Sequence, residues 1–141
     1  MRQFLAKYSL YFAWVISLVG LLVSLYVGEG LKMEPCHLCW YQRIFLFPLA
    51  ILLGVATFRE DHRFALYAFV MACLGEFFAL YQVLQQHIPV LKASALCGTY
   101  SDCSETVFQL FGFLTFPLLS AVGFAMIAIL LWPAAKASST K

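Results

Sequence analysis

Four long apolar stretches, separated by short polar segments, make up most of this chain of 141 residues. They cover residues 8–27, 40–58, 64–84 and 107–132. A helix needs ~20 residues to cross the hydrocarbon core of a bilayer, so each stretch is long enough or close to it. None shows the alternation typical of transmembrane barrel strands. The pattern predicts an all-α membrane protein, an antiparallel bundle of four transmembrane helices.

The composition agrees with a chain embedded in lipid. Hydrophobic residues make up 63% and charged residues 11%, whereas a soluble domain is nearer half apolar and a quarter charged. The net charge of +2 gives no basic surface for nucleic acid. Because no repeat or linker divides the chain, we expect one integral membrane domain over residues 1–141. The first stretch is too long for the apolar core of a signal peptide and lacks a small-residue cleavage site, so we expect a retained helix.

Lysine and arginine in the short connections predict the orientation, because they accumulate on the cytoplasmic side. Six fall on one side and three on the other. The six are Arg2, Lys7, Arg59, Arg63, Lys136 and Lys141, and the three are Lys32, Arg43 and Lys92. We therefore expect both termini in the cytoplasm and residues 28–39 and 85–106 outside.

Four of the five cysteines fall in these two outer segments. Cys36 and Cys39 form a Cys-His-Leu-Cys motif in the first, and Cys97 and Cys103 lie in the second. The outside of a bacterial-type membrane is oxidising, so paired thiols there become disulfides. A Cys-x-x-Cys pair closes too short a loop to stabilise a fold appreciably, whereas its sulfurs exchange readily with an incoming thiolate. The motif therefore indicates redox chemistry.

Arg43 lies four residues after Cys39, on the same helical face. The start of a helix favours a thiolate through its unpaired N–H groups and its dipole. A guanidinium there would further stabilise the Cys39 thiolate or an anionic redox cofactor. The alternative is an arginine that only anchors the helix by snorkelling to the interface.

A metal site is the competing use of the cysteines. Zinc would need four ligands, and Cys97 and Cys103 could supply two of them. Their five intervening residues exceed the usual spacing, and an oxidising compartment does not keep four thiols reduced. We therefore expect no metal, with His37 modulating the thiolate of the pair.

The third stretch contains two further unusual residues. Glu76 lies near the bilayer centre, either as a neutral acid hydrogen-bonded within the bundle or as a proton carrier for a redox cofactor. Cys73, one turn earlier, is expected to be a small buried residue. The outer end of this helix is marked by Gln82, Gln85, Gln86 and His87.

Two segments resemble a known family. Residues Cys36 to Ile44, Cys-His-Leu-Cys-Trp-Tyr-Gln-Arg-Ile, resemble the signature of the bacterial disulfide bond formation protein B family (DsbB and its Gram-positive relatives, BdbC). Residues Phe111 to Leu119 resemble the start of its fourth helix. The resemblance covers nearly the whole chain, and the short spacing of the second cysteine pair is similar to the BdbC type.

The resemblance implies a multi-pass enzyme of the bacterial cell membrane, a quinone-dependent protein-dithiol oxidase. Its implied partner is an extracytoplasmic thioredoxin-like oxidase of the DsbA or BdbD type, soluble or anchored. Its implied cofactor is a membrane quinone, menaquinone or ubiquinone. The implied redox-active disulfides are Cys36–Cys39 and Cys97–Cys103. Cys97 would receive the partner's thiolate and Cys103 would be released, while Cys36 exchanges with the second pair and Cys39, beside Arg43, faces the quinone.

Two other functions fit part of the pattern. A vitamin K epoxide reductase-like enzyme also combines four helices, two cysteine pairs and a quinone, but its loop cysteines precede the Cys-x-x-Cys motif. Here the order is reversed. A tetraspan scaffold or membrane chaperone would carry purely structural disulfides, which resist mild reduction.

Overall fold

The computed structural model describes residues 2–30, 37–88 and 116–140, and this part of the chain is helical apart from short turns. The helices are α1 (Arg2–Leu25), which continues into one turn of π-helix (Tyr26–Gly30), α2 (His37–Arg59), α3 (Arg63–His87) and α4 (Phe116–Ser139). Each helix contains a segment long and apolar enough to cross a membrane. The predicted all-α membrane fold of four spans is confirmed.

The helices form a ring in chain order, each packed against its two neighbours. Arg43 near the start of α2 meets Ser24 near the end of α1. Gln42 likewise meets Gln82 near the end of α3. Phe69 near the start of α3 touches Trp132 near the end of α4. Successive helices are therefore antiparallel, as predicted, whereas the side of the membrane that each end faces stays a prediction.

Small residues bring α3 close to α4. The face of α3 that lies inside the bundle carries fully buried alanines and a glycine, namely Ala65, Ala68, Ala72, Gly75 and Ala79. A Cβ at Gly75 would come within 2.6 Å of the Phe124 ring. Lipid supplies no hydrophobic force between helices, so close packing of this kind is what holds them together. Large apolar side chains such as Leu22, Ile51 and Ile129 point outward instead.

Hydroxyl groups inside the bundle are satisfied within their own helices. Ser9, Ser17, Thr57 and Ser120 each donate to a carbonyl three or four residues earlier. Such local bonds remove the cost of a polar group in hydrocarbon without linking one helix to another. The hydrogen bonds described between helices therefore concentrate at the two ends of the bundle. We call these the cysteine end, where α2 begins, and the Glu60 end, where α2 finishes.

At the Glu60 end, a tight turn joins α2 to α3. Glu60 has φ +53°, in the left-handed region, and ends α2. The Asp61 carboxylate then accepts a hydrogen bond of 3.0 Å from the Arg63 amide at the start of α3. Lys7 of α1 pairs with the Glu60 carboxylate. The hydrogen bond that Lys7 donates to Glu60, together with the positive charge of Lys7, holds the pKa of the Glu60 carboxyl below its ordinary value.

The fourth span was predicted to cover residues 107–132, and the structure tests its end but not its start. Residues 107–115, predicted to begin the fourth span, lie outside the described residues. Helix α4 continues to Ser139, although the apolar stretch ends at Trp132. Pro133 lies inside it without ending it. Hydropathy reports where apolar side chains stop, whereas the backbone hydrogen bonds of a helix continue into a polar segment.

Candidate active site

Two of the predicted site residues, Cys39 and Arg43, lie in the described part of the chain. Cys36, Cys97 and Cys103 lie outside the described residues. The two disulfide pairings therefore stay predictions. Because α2 begins at His37, Cys39 is in its first turn and Arg43 is one turn further along. Both residues are half-buried at the cysteine end.

Arg43 is held by the last turns of α1. Its Nε donates a hydrogen bond of 2.8 Å to the Ser24 hydroxyl, and its Nη2 donates to the main-chain carbonyl of the same residue. The guanidinium carbon also lies 5.9 Å from the centre of the Trp40 ring, within cation–π distance. Three contacts from two helices therefore fix the position of this cation.

Gly28 provides the space for the guanidinium. It lies in the π-helical turn that ends α1. A Cβ there would lie 3.0 Å from both Cζ and Nη1 of Arg43 and would overlap Nη2. Single π-helical turns occur frequently at functional sites. Here the turn places a residue without a side chain directly against Arg43.

The sulfur of Cys39 faces α3. Gln82 Nε2 donates to Cys39 Sγ over 3.4 Å, and the Cys39 thiol donates to Gln82 Oε1 over 3.8 Å. That oxygen accepts a hydrogen bond of 2.8 Å from Gln42 Nε2. The Gln82 and Gln42 side chains are buried, at 3% and 7% exposure. A hydrogen-bond network of Cys39, Gln42 and Gln82 thus joins α2 to α3.

Neither glutamine was predicted as a site residue from the sequence, although a signal was present. Gln42 and Gln82 each lie inside an apolar stretch predicted to span the membrane. Amide side chains at such depth usually hydrogen-bond across helices. The sequence does not say which helix each one faces, and so it could not pair them.

Aromatic rings continue the contact between α2 and α3 away from the cysteine. Phe78 stacks on Tyr41 at 5.4 Å and on Phe45 at 5.5 Å, with ring planes within 20° of parallel. Offset stacking adds to the apolar burial of such rings. These contacts fix the rotation of α2 relative to α3, and so they support the position of Cys39.

The other two residues singled out in the third stretch lie further from this end. Glu76 has a buried carboxylate oxygen, Oε2, with no hydrogen-bond partner among the residues described. Cys73 is exposed on the outside of the bundle, so the prediction of a buried residue was wrong. The buried face of α3 passes through Ala72 and Gly75, and a helix turns about 100° per residue, which carries position 73 outward.

These features define a class, an integral multi-pass membrane protein with a cysteine site at one end of a four-helix bundle. The chain belongs to the family described as disulfide bond formation protein DsbB, whose sequence profile matches residues 6–134. This confirms the resemblance seen in the motif. Family membership indicates a disulfide-generating oxidoreductase with a role in disulfide bond formation.

Individual relatives are similar in sequence to this chain over nearly their whole length. A probable disulfide formation protein of Chlamydia trachomatis serovar D is 46% identical over 136 residues, covering 96% of this chain and 98% of the relative. One from Chlamydia pneumoniae is 45% identical over 131 residues, covering 93% and 94%. Probable disulfide formation protein C 2 of Bacillus cereus is 38% identical over 130 residues, covering 92% and 93%. No solved structure matches the chain.

Proposed function

We propose that the protein re-oxidises an extracytoplasmic thioredoxin-like dithiol protein and passes the electrons to a membrane quinone. It would thereby sustain disulfide formation in exported proteins from a bacterial cell membrane. The observation that carries the proposal is the placement of Cys39 and a fixed Arg43 one turn apart, at the end of a membrane-spanning segment. A thiol placed there is within reach of acceptors dissolved in lipid.

The residues around Arg43 fit a quinone head group. Such a group needs a flat apolar surface and a donor for its carbonyl oxygens. Trp40, 54% exposed, offers the surface. Nη1 of Arg43 is the donor, since its hydrogen bonds to described residues use Nε and Nη2. When bound, a quinone supplies the capacity to accept two electrons and two protons. The positive charge of Arg43 would favour negative charge on the oxygen it holds.

The thiol steps follow the roles that the family resemblance implies for the four cysteines. The partner's thiolate attacks Cys97, forms a mixed disulfide and releases Cys103 as a thiolate. The partner's second thiol then displaces Cys97, so the partner leaves with one new disulfide and its two electrons remain on the Cys97/Cys103 pair. Exchange of this pair with Cys36 breaks the Cys36–Cys39 disulfide and restores Cys97–Cys103. The electrons thereby reach Cys39.

The orientation is part of the proposal. Six of nine basic residues fall near the Glu60 end or the termini, which supports a cytoplasmic location for that end and both termini. The cysteine end then faces the oxidising side, where a soluble or anchored partner operates.

The test is a coupled assay on the purified protein in detergent. A reduced thioredoxin-like domain is supplied with a soluble menaquinone or ubiquinone analogue, and disulfide formation and quinone absorbance are followed together. We expect one quinone consumed per disulfide formed, and no turnover in Cys39→Ser. Oxidation without quinone consumption would contradict the proposed acceptor. Cysteine pairs that resist mild reduction would instead indicate a scaffold.

A further inference from the structure

A pair of buried amide side chains lies against the sulfur of Cys39. We propose that Gln82 is the hydrogen-bond donor that stabilises the Cys39 thiolate. We further propose that Gln42 is a positioning residue, which fixes the end of the Gln82 amide that faces the sulfur.

The argument begins with the two ends of an amide. A glutamine side chain carries an acceptor oxygen and a donor nitrogen, and rotating it by a half turn exchanges them. In the structure the nitrogen end of the Gln42 amide faces Gln82, and Gln42 Nε2, which can only donate, lies 2.8 Å from Gln82 Oε1. This bond turns the oxygen of Gln82 toward Gln42. The nitrogen of Gln82 is then the atom nearer to Cys39, at 3.4 Å against 3.8 Å for the oxygen.

The orientation matters because the charge of the sulfur changes during thiol exchange. A thiolate accepts a hydrogen bond strongly, and bonds to a charged acceptor are about twice as strong as neutral ones. The reversed amide would point a carbonyl oxygen at the same negative charge. The Gln42–Gln82 bond therefore favours the orientation of the Gln82 amide that stabilises the Cys39 thiolate over the reversed orientation, which would repel it.

Burial increases the effect. With Gln82 and Gln42 at 3% and 7% exposure, water does not readily replace a lost amide contact. The hydrogen bonds described for Arg43 go to Ser24 on α1, so the cation is anchored on a different helix from the one that meets the Cys39 sulfur. The N–H group that reaches the sulfur therefore comes from α3, and its contribution can be tested without changing Arg43.

This inference rests on the proposed function only for the use of the thiolate, because a stable Cys39 thiolate is the form that would give up electrons. Its test needs neither partner nor quinone. The full chain is prepared with Cys39 as its sole thiol, by changing the other four cysteines to serine, and is alkylated with iodoacetamide. The rate at neutral pH reports the thiolate fraction, while the rate at about pH 10, where thiols are ionised, reports access to the sulfur.

Gln82→Met preserves the length of the side chain and removes the N–H donor. We expect its alkylation rate at neutral pH, divided by the rate at about pH 10, to fall roughly tenfold, which is the low end for a hydrogen bond to a charged group. Gln42→Met leaves the Gln82 donor present but unoriented, so we expect a smaller fall of about threefold. Ser17→Ala is the control, because the hydrogen bond described for this buried hydroxyl lies within its own helix, to the Trp14 carbonyl, and its ratio should not change.

Combining the two substitutions separates positioning from a direct effect. If Gln42 acts through Gln82, Gln42→Met should have no further effect in a Gln82→Met chain. A second independent fall would overturn the positioning role, and an unchanged ratio in Gln82→Met would overturn the donor role. Thermal unfolding identifies any misfolded variant, and Gln82→Leu then replaces Gln82→Met. The coupled quinone assay tests the proposed function separately, so the roles of the two glutamines can be tested even if that function is contradicted, and the reverse also holds.

Discussion

The guanidinium of Arg43 occupies the space where a side chain on Gly28 would stand. The two residues belong to different helices, so the end of α1 is shaped around a cation that extends from α2. The same turns of α1 supply the hydroxyl and the carbonyl of Ser24 as acceptors. The position of Arg43 therefore depends on a residue that contributes only the absence of a side chain.

Substituting Gly28 should displace Arg43 without removing its charge. In Gly28→Ala the new Cβ would lie within 3.0 Å of the guanidinium carbon, so the cation must leave Ser24. We expect apparent quinone affinity to weaken about tenfold, the cost of roughly one charge-assisted hydrogen bond. Quinone titration of the coupled assay measures it. Gly123→Ala is the matched control, because nothing lies within 4 Å of its Cβ position; equal quinone affinity in the two variants would contradict the prediction.

Arg43 itself should tolerate lysine only in part. Lysine keeps the charge but lacks the planar fork that reaches both Ser24 oxygens. We expect Arg43→Lys to turn over with weakened quinone affinity and Arg43→Ala to be much worse, within a range of roughly 5- to 150-fold for ~1–3 kcal/mol. Single-turnover oxidation of the partner without quinone should survive in both. Unchanged quinone kinetics in Arg43→Ala would leave only a membrane-anchoring role.

Cys73 is the control for the cysteine substitutions, because it is not part of either proposed disulfide. Cys73 is exposed on the outside of the bundle, so Cys73→Ser should retain full partner oxidation. Serine at any of the other four cysteines should abolish it, because each forms half of a disulfide in the proposed relay. Full activity in one of those four variants, measured by thiol titration of the partner, would contradict the two-pair scheme.

The second pair should differ in what each half traps. In Cys103→Ser, Cys97 has lost the neighbour that resolves its mixed disulfide, so a covalent complex with the partner should accumulate. Cys97→Ser should trap much less. Non-reducing gel electrophoresis of the two variants with the reduced partner makes the comparison. Trapping through Cys103 instead would reverse the roles assigned to these two residues.

The ion pair at the Glu60 end should contribute to stability in a pH-dependent way. Because Lys7 lowers the pKa of Glu60 in the folded protein, the pair stabilises the fold above the unfolded pKa, ordinarily near 4.5. This contribution is lost as the pH falls through the folded pKa. Both side chains are largely exposed, so the effect should be small and weaker in high salt. Thermal unfolding of Glu60→Gln should match the parent in acid and fall slightly below it at neutral pH.

Much of the fold was predictable because lipid imposes a simple requirement on sequence. The stretches 8–27, 40–58 and 64–84 lie within the helical segments found there, since a span must be apolar and satisfy its own backbone. Helix ends were less predictable. Arg2 and Lys7 belong to α1, because a charge near the interface does not end a helix.

The site was predictable where spacing alone determines geometry. Cys39 and Arg43 lie one turn apart on α2, as four residues predict, but their side chains meet different helices, Cys39 facing α3 and Arg43 facing α1. The pairing of Gln42 with Gln82, and of Arg43 with Ser24, depends on how each helix is rotated toward its neighbour. That rotation is set by packing between side chains distant in sequence. A single sequence does not specify it, and the same reason explains the wrong prediction for Cys73.

The consecutive residues Gln42 and Arg43 bind the two neighbours of α2, one reaching α3 and the other α1. Any rotation of α2 about its axis at this end would stretch at least one of these hydrogen bonds. The dipoles and the charge around Cys39 are therefore oriented before its own charge changes, and they need not move when it does. The protein's reorganisation energy should contribute little to the barrier for the proposed transfer of electrons from this sulfur.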